Sequence, residues 1–154
     1  LFENFLIRNF KKINKKKITI AINIKSDGLF SKLKKILKIY KIKNYFCFDM
    51  STPEILKYIN CNLNFYSRFS KFEKNILFKK ESKGIWVDSF DGNFIYKNSF
   101  NKKILCYVSP ELHNKNNKRL AFWKKLKNLN KKKNKTKIFL CTDFPIQANL
   151  YFND

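Results

Sequence analysis

The sequence has no apolar run approaching the roughly 18 consecutive residues of a membrane span. Its amino end, Leu1-Phe2-Glu3-Asn4, has neither the charged n-region nor the apolar h-region of a secretory signal. A membrane-spanning helix is therefore excluded on sequence, and a cytoplasmic location is expected. Cysteine is present but unpatterned: Cys47, Cys61, Cys106 and Cys141 form no CxxC pair and no metal-ligand spacing. Three of them sit in apolar runs, where a thiol packs as a small hydrophobe, so free thiols in a reducing compartment are expected rather than a disulfide framework. Histidine is reduced to His113, which has no partner cluster and reads as a surface or loop residue. What is abundant is core material, with 44% hydrophobic and 17% aromatic residues in 154, which excludes extended disorder and suits a single domain.

Acidic residues are also scarce, 11 against 34 Lys+Arg, for a formal net charge of +23. A basic surface collects phosphates by counterion release, so a nucleic-acid binder is one expectation. The charge is almost all lysine, however, with arginine only at positions 8, 68 and 119, only three alanines and three glycines, and an abundance of Asn, Ile and Phe. That pattern follows A/T-rich codons, so a lysine-coated ordinary domain is the competing expectation. Residues that such a bias disfavours carry more information, among them Arg68, Trp86, Trp123, Gly84 and the three prolines.

Along the chain, short apolar runs alternate with helical patterns. Ile18–Lys25 alternates with period two and reads as a strand closed by Asp27-Gly28; Leu29, Phe30, Leu33, Ile36, Leu37 and Tyr40 then recur at helical spacing. Tyr45–Met50 reads as a buried strand. Ser51-Thr52-Pro53-Glu54 after it is a helix start, with Ser51 as N-cap, Pro53 in the first turn and Glu54 closing a capping box. Further strands are expected at 63–68, 84–90, 104–108 and 138–141, with helices over 71–78, through Leu120 to Leu129, and over 146–152. Ser109-Pro110-Glu111-Leu112 repeats the cap-then-Pro signature, and the Lys/Asn-rich stretch 130–137 reads as a solvated loop. Strands spaced by helices mean βα units and a parallel sheet.

The polar residues select among parallel folds. On the first strand Ile20, Ile22 and Ile24 share one face while Ala21, Asn23 and Lys25 share the other, where a doubly wound sheet would bury apolar side chains on both. Five of the six strands are expected to end in a charge: Lys25, Asp49, Arg68, Asp88 and Asp143. Charges converging from the carboxyl ends of successive parallel strands suit the mouth of a (β/α)8 barrel. The three aspartates equally suit caps of the following turns, whereas Lys25 and Arg68 call for an anion.

Ile22-Asn23-Ile24-Lys25 with Asp27-Gly28-Leu29, the Phe48-Asp49 strand end, the Trp86-Val87-Asp88 strand and Cys141-Thr142-Asp143-Phe144-Pro145 together resemble the glycerophosphodiester phosphodiesterase family of phosphatidylinositol-phospholipase-C-like barrels. That family's last strand typically ends in Thr-Asp-(Tyr/Phe)-Pro, and its third carries a Glu and a Lys two residues apart. The resemblance implies a TIM-type (β/α)8 barrel of which residues 18–152 supply six βα units, the third to the eighth. It implies a small phosphorylated substrate, a glycerol- or sugar-linked phosphodiester, with Lys25 as the phosphate contact and a divalent metal, Ca or Mg, as cofactor.

The departures from the family are specific. Its His-Arg strand end, its Glu and Asp for the metal and its His-Asp pair have no counterpart here, so no catalytic residue is expected within this chain and a carboxyl-terminal part of an incomplete barrel is the expectation. Asn23 stands at the position of a metal-ligating Glu, and an amide oxygen is a weaker, uncharged ligand for a hard cation. From physics rather than family, Arg68 is a candidate anion clamp, with a salt bridge to Glu73 or Asp49 as the alternative. Trp86 is a candidate apolar wall for a glycerol or sugar moiety, or core packing, and Asp88 a hydroxyl acceptor. A non-enzymatic binder of polyanions or nucleic acid remains the alternative function.

Overall fold

A computed structural model describes residues 2–93, 103–131 and 137–153. The chain divides into two compact units, one formed by residues 1–66 and 80–83, the other by 67–79 and 84–154. No helix among the described residues is long and apolar enough to cross a membrane.

The first unit opens with α1 (Phe2–Lys15), followed by β1 (Ile20–Asn23), α2 (Phe30–Ile39), β2 (Tyr45–Phe48) and α3 (Thr52–Asn60). Helix α1 lies upstream of every element expected from sequence. Its signal was nevertheless there: Phe2, Leu6, Phe10 and Ile13 fall on one face, Leu6 and Ile13 are buried, and the Phe10 ring lies 5.6 Å from that of Tyr40. Strands β1 and β2 pair in parallel, Ile20 opposite Tyr45 through Asn23 opposite Phe48. The period-two expectation holds on β1, where Ile22 and Ile24 are buried while Ala21, Asn23 and Lys25 are exposed. Strand β2 is continuously buried from Phe46, whose ring stacks on Tyr66 at 3.7 Å, and a parallel bridge joins Cys47 to Phe65.

The second unit contains β3 (Tyr66–Ser70, its first residue belonging to the first unit), β4 (Gly84–Asp88), β5 (Ile104–Val108), a 3-10 turn at Pro110–His113, α4 (Arg119–Lys131), β6 (Ile138–Cys141) and α5 (Pro145–Asn153). Its sheet has the order β3-β4-β5-β6, with β4, β5 and β6 running parallel. Ile85 and Val87 of β4 and Leu105 and Tyr107 of β5 pack with Phe122, Trp123 and Leu126 of α4 and Ala148 of α5 into one core cluster. Helices thus cover the face carrying the odd-numbered β4 and β5 residues, and Trp86, Asp88, Cys106 and Val108 alternate onto the other. An α/β protein with parallel sheets is the architecture.

Two sequence expectations need correction. The third strand runs over Tyr66–Ser70 rather than 63–68: Leu63 N–H still bonds Tyr58 O behind α3, after Asn62 has turned left-handed at φ 53°, so Leu63 closes a helix. Residues 71–78 form turns and not a helix. Ser70 Oγ accepts the N–H groups of Phe72 and Glu73, Phe78 sits at φ 50°, and Phe72 and Leu77 are exposed, so no apolar stripe is buried to stabilise a helix there. The expected loop over 130–137 lies largely outside the described residues.

The α3 start forms as its sequence requires. Ser51 Oγ accepts Glu54 N–H at 3.3 Å, but Glu54 turns its fully buried side chain to other work, accepting Gly28 N–H at 3.1 Å and pairing with Lys57 Nζ at 3.0 Å. Burial opposes ionisation of this carboxyl, yet Lys57 and the Gly28 and Phe30 N–H groups outweigh it and hold it below the ordinary Glu range. A carboxyl so held adds stability above its unfolded value near 4.5, and that stability is lost as pH falls through the folded value. Glu54→Gln is expected to destabilise the chain by about 1–3 kcal/mol at neutral pH, and to flatten the loss of urea-unfolding midpoint below pH ~4.5 that the native sequence shows.

Candidate functional site

Parallel strands deliver their carboxyl ends to one edge, and in each unit the polar side chains gather there. In the first unit, Asn23 is the last residue of β1, Lys25 lies two beyond, and Asp49 directly follows β2. Asp49 adopts a left-handed backbone at φ 67°, a conformation Asp tolerates better than most residues. Its Oδ2 accepts Asn23 Nδ2 at 3.2 Å and lies 3.5 Å from Lys25 Nζ. The Lys25 side chain is 76% exposed and Asp49 21%, so the ammonium reaches solvent while tethered on one side by a long ion pair. Asp27 accepts Ser51 Oγ–H at 2.8 Å, joining the loop after β1 to the cap of α3.

A divalent hard cation requires several oxygen ligands, usually with more than one carboxylate. Here the candidate position offers one carboxylate, Asp49, with an ammonium beside it and the Asn23 amide nitrogen turned toward it. No group of three or more His, Cys, Asp or Glu side chains among the described residues is placed to share an ion. The donor set does not fit the metal that the family resemblance implies, and no step is derived through one.

In the second unit, Arg68 lies in the middle of β3 rather than at a strand end, and its Nε meets Glu73 Oε2 at 2.6 Å. The salt-bridge alternative is therefore realised with Glu73. Trp86 is buried at 6% exposure within β4, a position for packing more than for a ligand-facing wall. Asp88, the last residue of β4, meets His113 Nε2 at 2.6 Å. His113 lies in the 3-10 turn after β5, as a surface or loop residue would, but that turn brings it back over the end of β4, half-buried and with its ring 4.7 Å from Phe90. No local spacing rule connects residues 25 apart, so this pair becomes visible only through the β4–β5 pairing.

Glu111 was also hidden. The Ser109-Pro110-Glu111 signature builds no capping box; instead Glu111 is 5% exposed and accepts the hydroxyls of Ser109 and Thr142, while Trp123 Nε1 donates to Ser109 Oγ at 2.9 Å. Thr142 Oγ1 also accepts Phe144 N–H at 3.1 Å, opening the turn into Pro145, the first residue of α5. The Thr-Asp-Phe-Pro motif thus locks the end of β6 to the loop after β5. Gly92, at φ 67°, closes the neighbouring turn so near Pro110 that a Cβ there would lie 2.6 Å from the proline ring. Burial pushes the Cys141 thiol up, reinforced by the Asp143, Glu111 and Asp88 carboxylates, and burial alone pushes Cys47 up to about 12. Such thiols are not nucleophiles at neutral pH.

Protein-family models, curated proteins and solved structures were all compared with this chain, and none matches it.

The Glu111 network sets its own test. Thr142→Val keeps the shape and removes one donor to a buried carboxylate, and is expected to lower unfolding free energy by about 1–3 kcal/mol in urea titration, while Thr142→Ser retains most of it.

Proposed function

We propose that this chain is a glycerophosphodiester phosphodiesterase-like domain, part of a TIM-type barrel, that binds a glycerol- or sugar-linked phosphate through Lys25. The carrying observation is the Asn23–Lys25–Asp49 cluster at the carboxyl ends of β1 and β2, which holds an exposed ammonium where a barrel presents its ligand. Coverage by α4 and α5 of the sheet face that carries Ile85, Val87, Leu105 and Tyr107 supports the same architecture, as does the polar drift along β4 from Trp86 to Asp88. Because the family's catalytic histidines and metal carboxylates have no counterpart among these residues, the reading assigns phosphate binding to this chain and not hydrolysis.

Glycerol 3-phosphate titrated into the 154-residue chain is expected to bind in the millimolar range, and Lys25→Met to weaken it about three- to tenfold without shifting the thermal midpoint. Unchanged affinity in Lys25→Met sinks the reading.

One observation favours a second reading, polyanion binding. Lys17, Lys41 and Lys43 line a groove with Asn14 and Asn44 at the opposite end of β1 and β2, and Lys17 and Lys41 both hold left-handed backbones. If those three lysines neutralise phosphates, affinity for single-stranded DNA should fall with a log–log salt slope near −2. No measurable binding at low salt, or an affinity that does not change with salt, returns the lysines to compositional origin.

A further inference from the structure

The Asp88–His113 pair lies outside the phosphate cluster, and its second imidazole nitrogen makes no hydrogen bond to the described residues. Histidine is rare enough here to occur once in 154 residues. The chain places it half-buried, 25% exposed, against a carboxylate that is only 12% exposed. A carboxylate that accepts Nε2–H leaves the lone pair on Nδ1, and so converts the ring into a fixed acceptor. Beside it runs an aromatic surface: Phe90 lies 4.7 Å from the imidazole and Phe72 lies 5.3 Å from Phe90, with Phe72 75% exposed. An aromatic ring offered to solvent next to a single oriented acceptor suits a molecule with C–H faces and hydroxyl groups, a polyol or a sugar.

We propose that His113, oriented by Asp88, is a hydroxyl-recognition residue whose Nδ1 accepts a hydrogen bond from a polyol or sugar lying against Phe90 and Phe72. This site takes over the roles expected of Trp86 and Asp88: the buried tryptophan yields the wall to the phenylalanines, and the aspartate acts through the histidine. Asp88 is accordingly a positioning residue. The inference stands on the second unit alone and does not require the phosphate reading.

The single histidine makes the test direct. In long-range proton–nitrogen NMR spectra of the whole chain at alkaline pH, two ring nitrogens are seen without assignment ambiguity, and Nε2 is expected to carry the proton. Titration with glycerol and with methyl α-glucoside is expected to move the Nδ1 resonance saturably for at least one of them. Asp88→Ala is expected to weaken that response about tenfold, the loss of one charge-assisted partner. Phe72→Ala, at an exposed position where folding is not at stake, is expected to weaken it severalfold. A proton on Nδ1, an Nδ1 resonance unmoved by both probes, or an undiminished response in Phe72→Ala overturns the proposal. Inorganic phosphate serves as the separate arm. A polyol response with no phosphate response at Lys25 leaves this site standing and removes only the phosphodiester reading.

Discussion

A carboxylate withdrawn from water must have its oxygens hydrogen-bonded or it is too costly to keep, and that demand organises the functional edge of both units. Glu54 and Glu111 each follow a Pro in the first helical turn after a strand, and each is buried. Glu54 takes the Gly28 N–H from the loop after β1, and Glu111 takes the Thr142 hydroxyl from the end of β6. In both units the buried acid therefore clips together loops that emerge from different parallel strands. Lys25 and Asp49 are held in register by the first clip. The turn that carries His113 is anchored two residues from the second, on the very strand end that Trp123 also braces through Ser109.

This arrangement explains why local sequence rules succeed for the elements and fail for their use. Ser51-Thr52-Pro53-Glu54 announces a helix start, and α3 begins there with Ser51 as its cap. The same four residues do not disclose that the Glu side chain leaves its own helix for a glycine 26 residues away. The second copy of the signature misleads further, since Ser109-Pro110-Glu111 yields one 3-10 turn and spends both polar side chains on tertiary bonds. Alternation along β1 and the buried aromatic run of β2 were legible because each depends on burial of a whole face. The helix expected over 71–78 was not, because Ser70 offers its hydroxyl to two backbone N–H groups and no surface is there to bury Phe72.

The candidate site was legible to the same degree. The placement of Asn23, Lys25, Asp49 and Asp88 follows from where apolar runs stop: Asn23 and Asp88 close their strands, while Asp49 lies one residue and Lys25 two residues beyond theirs. Arg68 moved inward with its strand, and Glu73, only five residues on, claims it. The engagement of His113 with Asp88 is not legible in the sequence, because its partner lies across a strand pairing. Rarity in composition marks the lone histidine as much as it marks Arg68 and Trp86.

Asp49 draws these themes to an evolutionary point. Its left-handed backbone is one that asparagine accepts as readily as aspartate, and asparagine is a residue this composition already favours. A single drift from Asp to Asn would erase the carboxylate that pairs with Lys25 while asking nothing of the main chain. The backbone would accept the change, while the acceptor of Asn23 and Lys25 would lose its charge. Survival of the acid at position 49 in other copies of this sequence would therefore report selection for the charge it brings to Asn23 and Lys25, since the left-handed backbone alone does not require it.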